Sequence, residues 1–139
     1  LPYYPNLKIA CGHFKTGDYS DVEYMDVPNC IGVRIDPDNH FLARASGHSM
    51  NGGKHPILDR QLLLLERITP DKAGSLQNIT VAIERHDIGG ESQYLLRDVK
   101  KVASGKYLLV AKNPACDDLL ADENMRTFAR LKYVFLEES

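Results

Sequence analysis

Gly47-His48-Ser49-Met50 is the place in this sequence where residue types could do chemistry. It follows the alternating run Phe41 to Ala45 and precedes the apolar run Leu62 to Leu65, so it reads as a loop between two buried strands. A serine exposed on a small-residue turn can act as a nucleophile when a base stands beside it. Serine is also a common turn residue, and the residues alone leave both readings open. His48 does not make a triad with Ser49, because adjacent side chains on an extended chain point to opposite faces. Asp59 and Glu66 are nearby carboxylates whose spacing singles out neither.

Metal chemistry has little support. The three cysteines (Cys11, Cys30, Cys116) are far apart, no CxxC occurs, and none of the five histidines pairs with another four residues on. Cys11-x-His13 is the one close Cys–His pair, too little for a site, and no cofactor is expected. An odd number of dispersed cysteines argues against a disulfide framework and for a reducing, cytoplasmic setting. A net charge of -2 gives no general reason to bind nucleic acid, and Lys100-Lys101 and Arg126, Arg130 and Lys132 read as solvated faces. No apolar stretch approaches the ~20 residues of a membrane helix, and no signal-peptide order is present.

The elements that must position Ser49 read as strands. At 139 residues the chain suits one domain with a sizeable core, and Leu1 in place of an initiator Met suggests one domain of a longer polypeptide. Pro2 and Pro5 predict an extended arm, followed by a short strand over Leu7–Ala10. His13 to Asp21 is predicted as an exposed loop, Tyr24 to Val27 as a short strand, and Pro37-Asp38-Asn39 as a turn. Further strands are predicted at Phe41–Ala45, Gln61–Arg67 and Ile79–Glu84, the last with Ile79, Val81 and Ile83 on one face. Gly89-Gly90 predicts a hairpin into Gln93–Val102. Lys106–Ala111 and Phe128–Leu136 complete the strands, and Asp117 to Asn124 is predicted as a short helical turn. Strands dominate and turns recur, the pattern of a mostly antiparallel β sandwich or rolled barrel.

Ala45-Ser46-Gly47-His48-Ser49-Met50, with Ile57-Leu58-Asp59 and the run Leu62 to Leu65, resembles the LexA-type peptidases, which are related to bacterial signal peptidases. That resemblance implies a mainly β, rolled antiparallel domain and self-cleavage by a Ser–Lys dyad. It implies Ser49 as nucleophile, the amides of His48 and Ser49 as oxyanion donors, and Ala10-Cys11-Gly12 as the scissile region, cut between Cys11 and Gly12. It also implies a domain that dimerises, follows a DNA-binding region, and takes its own N-terminal cleavage segment or a protein partner. No helix-turn-helix is present in this sequence, so no direct nucleic-acid binding by this domain and no membrane partner are expected.

Two departures from the family pattern stand out. Asp59-Arg60-Gln61 occupies the place of Asp-Gly-Asp, and Arg97 falls at the catalytic lysine when Ile79 to Val99 is matched to the lysine-bearing hairpin. A dyad lysine works because burial lowers its pKa until the neutral amine can take the serine proton. Arginine stays protonated near neutral pH and cannot do this. Lys101 would lie about 13 Å along a strand rising about 3.3 Å per residue, too far to replace it, and Lys100 would face the other way. The expectation is a peptidase-type domain with weak or lost self-cleavage, serving as a regulatory or interaction module of a DNA-related bacterial or phage protein. The rivals are an active self-peptidase cutting Cys11–Gly12, with a base such as Lys54 supplied from elsewhere, and a plain β binding domain in which Ser49 is structural.

Overall fold

A computed structural model describes residues 1–10, 15–16, 21–26, 35–46, 57, 59–68, 79–86, 92–102, 106–111, 118–121 and 124–135. The described residues form strands β1 (Pro2–Ala10), β2 (Lys15–Thr16), β3 (Glu23–Tyr24), β4 (His40–Ser46) and β5 (Leu62–Arg67) in the first half. The second half adds β6 (Thr80–His86), β7 (Ser92–Lys101), β8 (Tyr107–Val110), β9 (Leu119–Leu120) and β10 (Met125–Phe135). They join in one sheet, ordered β3-β1-β4-β5-β10-β6-β7-β8-β9, with β2 on β7. A further β1–β7 pairing closes the ring β1-β4-β5-β10-β6-β7, so the sheet rolls on itself as expected of this sequence. Most ladders are antiparallel, and β1 supplies the two parallel ones, to β4 and to β7.

Period-two alternation sorts the apolar residues between the inside of the ring and its outer face. Leu7 and Ile9 of β1, Phe41, Ala43 and Ala45 of β4, Leu63 and Leu65 of β5, and Tyr94 and Leu96 of β7 share the interior cluster. The alternate residues Leu42, Leu62 and Leu64 join Phe135 on the outer face, against Leu1, Tyr3, Met25 and Ile35. Val81, Ile83, Val99 and Leu109 form a third cluster on the outer face of β6, β7 and β8. Both faces of β4 and β5 are therefore covered, which is why β5 reads as the continuous apolar run Leu62 to Leu65 rather than an alternating one.

Phe128, Leu131 and Val134 all pack against the interior cluster although they are three residues apart. A regular strand would send alternate members outward. Shifts of register between Thr127 and Ala129 and between Leu131 and Tyr133 each insert one residue and reset the alternation.

Two sequence expectations are corrected. Asp118 to Ala121 is extended rather than helical: Leu119 and Leu120 pair with Leu109 and Leu108, and the Asp118 carboxylate accepts from the Ala111 amide at 3.1 Å. Pairing with a neighbouring strand overrode a weak local helix preference. Within His13–Asp21, Lys15 and Thr16 form β2 by pairing with Tyr94 and Gln93, a long-range contact that polar local sequence does not signal. The turn at Pro37-Asp38-Asn39 stands as expected, with the amides of Asn39 and His40 donating to the Asp36 carbonyl and that of Asp38 to the Asp36 side chain.

Candidate active site

Arg97 lies in the middle of β7, in a regular hairpin with β6 whose pairs run from Thr80–Asp98 to His86–Ser92. Its direct opposite is Val81. Tyr94 and Leu96 point into the ring, so Arg97 points to the outer face, where Val81, Ile83 and Val99 cluster. It is 1% exposed, the largest side chain buried to that degree among the described residues. Its Nη1 donates to the Leu96 carbonyl at 3.0 Å, and the residue has a further interaction besides that bond. A guanidinium in such a place is retained only with hydrogen-bond acceptors around it, because an uncompensated buried charge is costly.

The ends of two strands meet β7 beside it. Ala10, the last residue of β1, pairs with Ser46, the last residue of β4, and also with Leu95 of β7. Cys11–Gly12 follows Ala10 directly, Ser49 lies three residues beyond Ser46, and Arg97 lies two residues beyond Leu95. β2 then returns along β7 at Tyr94 and Gln93, so the chain before and after residues 11–14 is tied to the same stretch of β7. Cys11, Gly12, His48, Ser49 and Lys54 themselves lie outside the described residues, as do Cys30, Cys116 and the Gly89-Gly90 turn.

The far end of the Ser49 loop is fixed by a turn at Asp59-Arg60. Arg60 has φ of 69°, the left-handed conformation that costs a residue with a Cβ and suits glycine. The tight turn of the Asp-Gly-Asp step therefore persists here with arginine in the glycine position. It is clamped to β4 by three bonds: Arg60 N–H to the Ala45 carbonyl at 2.8 Å, Ala45 N–H to the Gln61 carbonyl at 2.9 Å, and Arg44 Nη1 to the Arg60 carbonyl at 2.9 Å. Arg44 Nε also donates to the Tyr3 hydroxyl at 3.2 Å, linking this turn to β1. Arg44 carries no sequence signal for that role, since its reach depends on where β1 and the turn arrive.

The family model for Peptidase S24-like proteins matches residues 2–132. The chain belongs to that family. The match spans nearly all of the sequence, including the ends of β1 and β4 that meet β7 at Ala10 and the β6–β7 hairpin. No curated protein matches the chain. The matched span also contains the motif around Ser49 and, on β7, Arg97.

Among the described residues no three His, Cys, Asp or Glu side chains are grouped to hold a metal ion. Among the same residues no helix is long and apolar enough to cross a membrane. Lys100, Lys106 and Lys132 are exposed, so none of these three is a buried amine of the kind a dyad uses.

Proposed function

We propose that this Peptidase S24-like domain keeps the layout of a self-cleaving serine peptidase while its bond-cutting step is weak or lost. Ser49 is the nucleophile position, the amides of His48 and Ser49 are the oxyanion donors, and Cys11–Gly12 is the scissile bond. The observation that carries the reading is Arg97, buried on β7 two residues from the Leu95–Ala10 pair. A permanently protonated guanidinium in the lysine position cannot take the serine proton, but it can donate hydrogen bonds to carbonyl or carboxylate oxygens. The domain then serves as a cytoplasmic regulatory or interaction module of a larger DNA-related bacterial or phage protein, acting on its own N-terminal segment or on a protein partner, and dimerising.

The second reading is an active self-peptidase. It is favoured by the convergence at Ala10, which ties the chain flanking Cys11–Gly12 to the strand bearing Arg97 and lends the reaction the advantage of an intramolecular substrate. Intact mass recorded over days from neutral to alkaline pH separates the two. The expected result is a stable chain, with cleavage gained in Arg97→Lys. Two fragments joined at Cys11–Gly12 in the unaltered chain, and absent in Ser49→Ala, would overturn the inactive reading.

A further inference from the structure

The segment Leu1–Ala10 is held by the ring as one of its staves, and this has a consequence for the bond that follows it. Leu7 and Ile9 are both 0% exposed and sit in the interior cluster with Phe41, Ala43, Leu63, Tyr94 and Leu96. Backbone pairing runs from Tyr3–Leu42 to Ala10–Ser46 along β4, and Ala10 reaches β7 at Leu95. The register breaks between Tyr3 and Lys8, around Pro5, which has no N–H to give a ladder. Side chains take over where the ladder is interrupted. Arg67 Nη2 donates to the Tyr4 hydroxyl at 3.1 Å, and Asn6 Nδ2 donates to the Asp21 carboxylate at 2.8 Å. At the near end, Tyr3 receives the Arg44 bond and packs with Leu1 against Leu42, Leu64 and Phe135.

We infer that the space between β4 and β7 is a binding slot for an extended strand, that β1 is its occupant, and that β1 remains there when the chain is cut after it. None of these contacts involves residues 11–14. Hydrolysis anywhere in that segment breaks connectivity but leaves both buried aliphatic anchors, the ladders and the tyrosine bonds in place. Polypeptide joined ahead of Leu1 then stays attached to the domain after cleavage, and release requires β1 to be pulled from the ring. The inference does not depend on Ser49 or Arg97 being active.

The test uses the folded, full chain carrying a site-specific protease sequence inserted after Gly12. After complete cutting, verified by denaturing mass, native mass and gel filtration at micromolar concentration should find the short N-terminal fragment with the large one in equal amounts. A synthetic peptide of residues 1–11 added in excess should exchange with the resident fragment on mild heating. The same peptide with Leu7→Asp and Ile9→Asp should compete at least about 100-fold more weakly, since each buried aliphatic is worth more than a factor of ten. Elution of the short fragment by itself under native conditions, whether or not the remainder stays folded, would overturn the inference. So would equal competition by the two peptides.

Discussion

Arg97 stands directly opposite Val81 across the β6–β7 ladder, a guanidinium at 1% exposure on the face where Val81, Ile83, Val99 and Leu109 cluster. This apolar wall is what a dyad lysine would use to lose its proton, and arginine does not respond to it that way. If the wall is otherwise suited to the dyad, Arg97→Lys should cleave at a rate that rises with pH. The reactive form is the neutral amine, so activity climbs as pH passes upward through the lysine pKa and levels off above it. A rate-against-pH series on Arg97→Lys, with Ser49→Ala in the same background as the zero, checks this. A flat profile would exclude lysine as the base.

Arg60 holds a left-handed φ of 69° at the turn clamped to Ala45 and Arg44. The left-handed conformation costs a residue with a Cβ roughly 1 kcal/mol, part of which glycine returns through its greater freedom when unfolded. Arg60→Gly should therefore stabilise the fold by about 0.5 kcal/mol, and Arg60→Val should destabilise it by about 1 kcal/mol or more. Urea denaturation midpoints, with unchanged slope, are the measurement.

Leu7 is 0% exposed on a strand that closes the ring through one pair at Ala10–Leu95. Leu7→Ala should cost about 2–5 kcal/mol, the range for truncating a fully buried leucine. Hydrogen exchange should locate the loss: amides of β4 and β7 that face β1 should lose more protection than those of the β5–β10 ladder.

Glu66 receives both Nε and Nη2 of Arg130 on one oxygen, at 2.6 and 2.5 Å, while its other oxygen lies 3.6 Å from His40 Nε2. The three residues are cross-strand neighbours on β4, β5 and β10. With Glu66 about a quarter exposed, a double-mutant cycle of Glu66→Gln and Arg130→Met should give a coupling near 1 kcal/mol, discounted for solvent screening. Repeating the cycle at high salt should shrink it.

Much of this fold was legible in the sequence. Phe41, Ala43 and Ala45 were assigned to one face by alternation, as were Ile79, Val81 and Ile83, because period two is a property of the backbone itself. The pairing of Ile79–Glu84 with the strand after Gly89-Gly90 was also expected, while the register that sets Arg97 opposite Val81 came from the structure. The motif around Ser49 points to the family, and the chemistry of arginine by itself argues against a proton-accepting role at position 97.

Other features existed only in the folded chain. The meeting of β1, β4 and β7 at Ala10 joins residues distant in sequence, and no local preference encodes which strands will pair. Likewise β2 and β9 are two-residue strands made by their neighbours rather than by their own residues. The bulges that turn Phe128, Leu131 and Val134 to one side, and the reach of Arg44 to Arg60 and Tyr3, were decided by how the ring closes. Sequence determined which residues could carry the chemistry, because side-chain type and backbone periodicity are local. Tertiary structure decided which strand ends lie beside Arg97, because a closed ring fixes every strand against two neighbours at once.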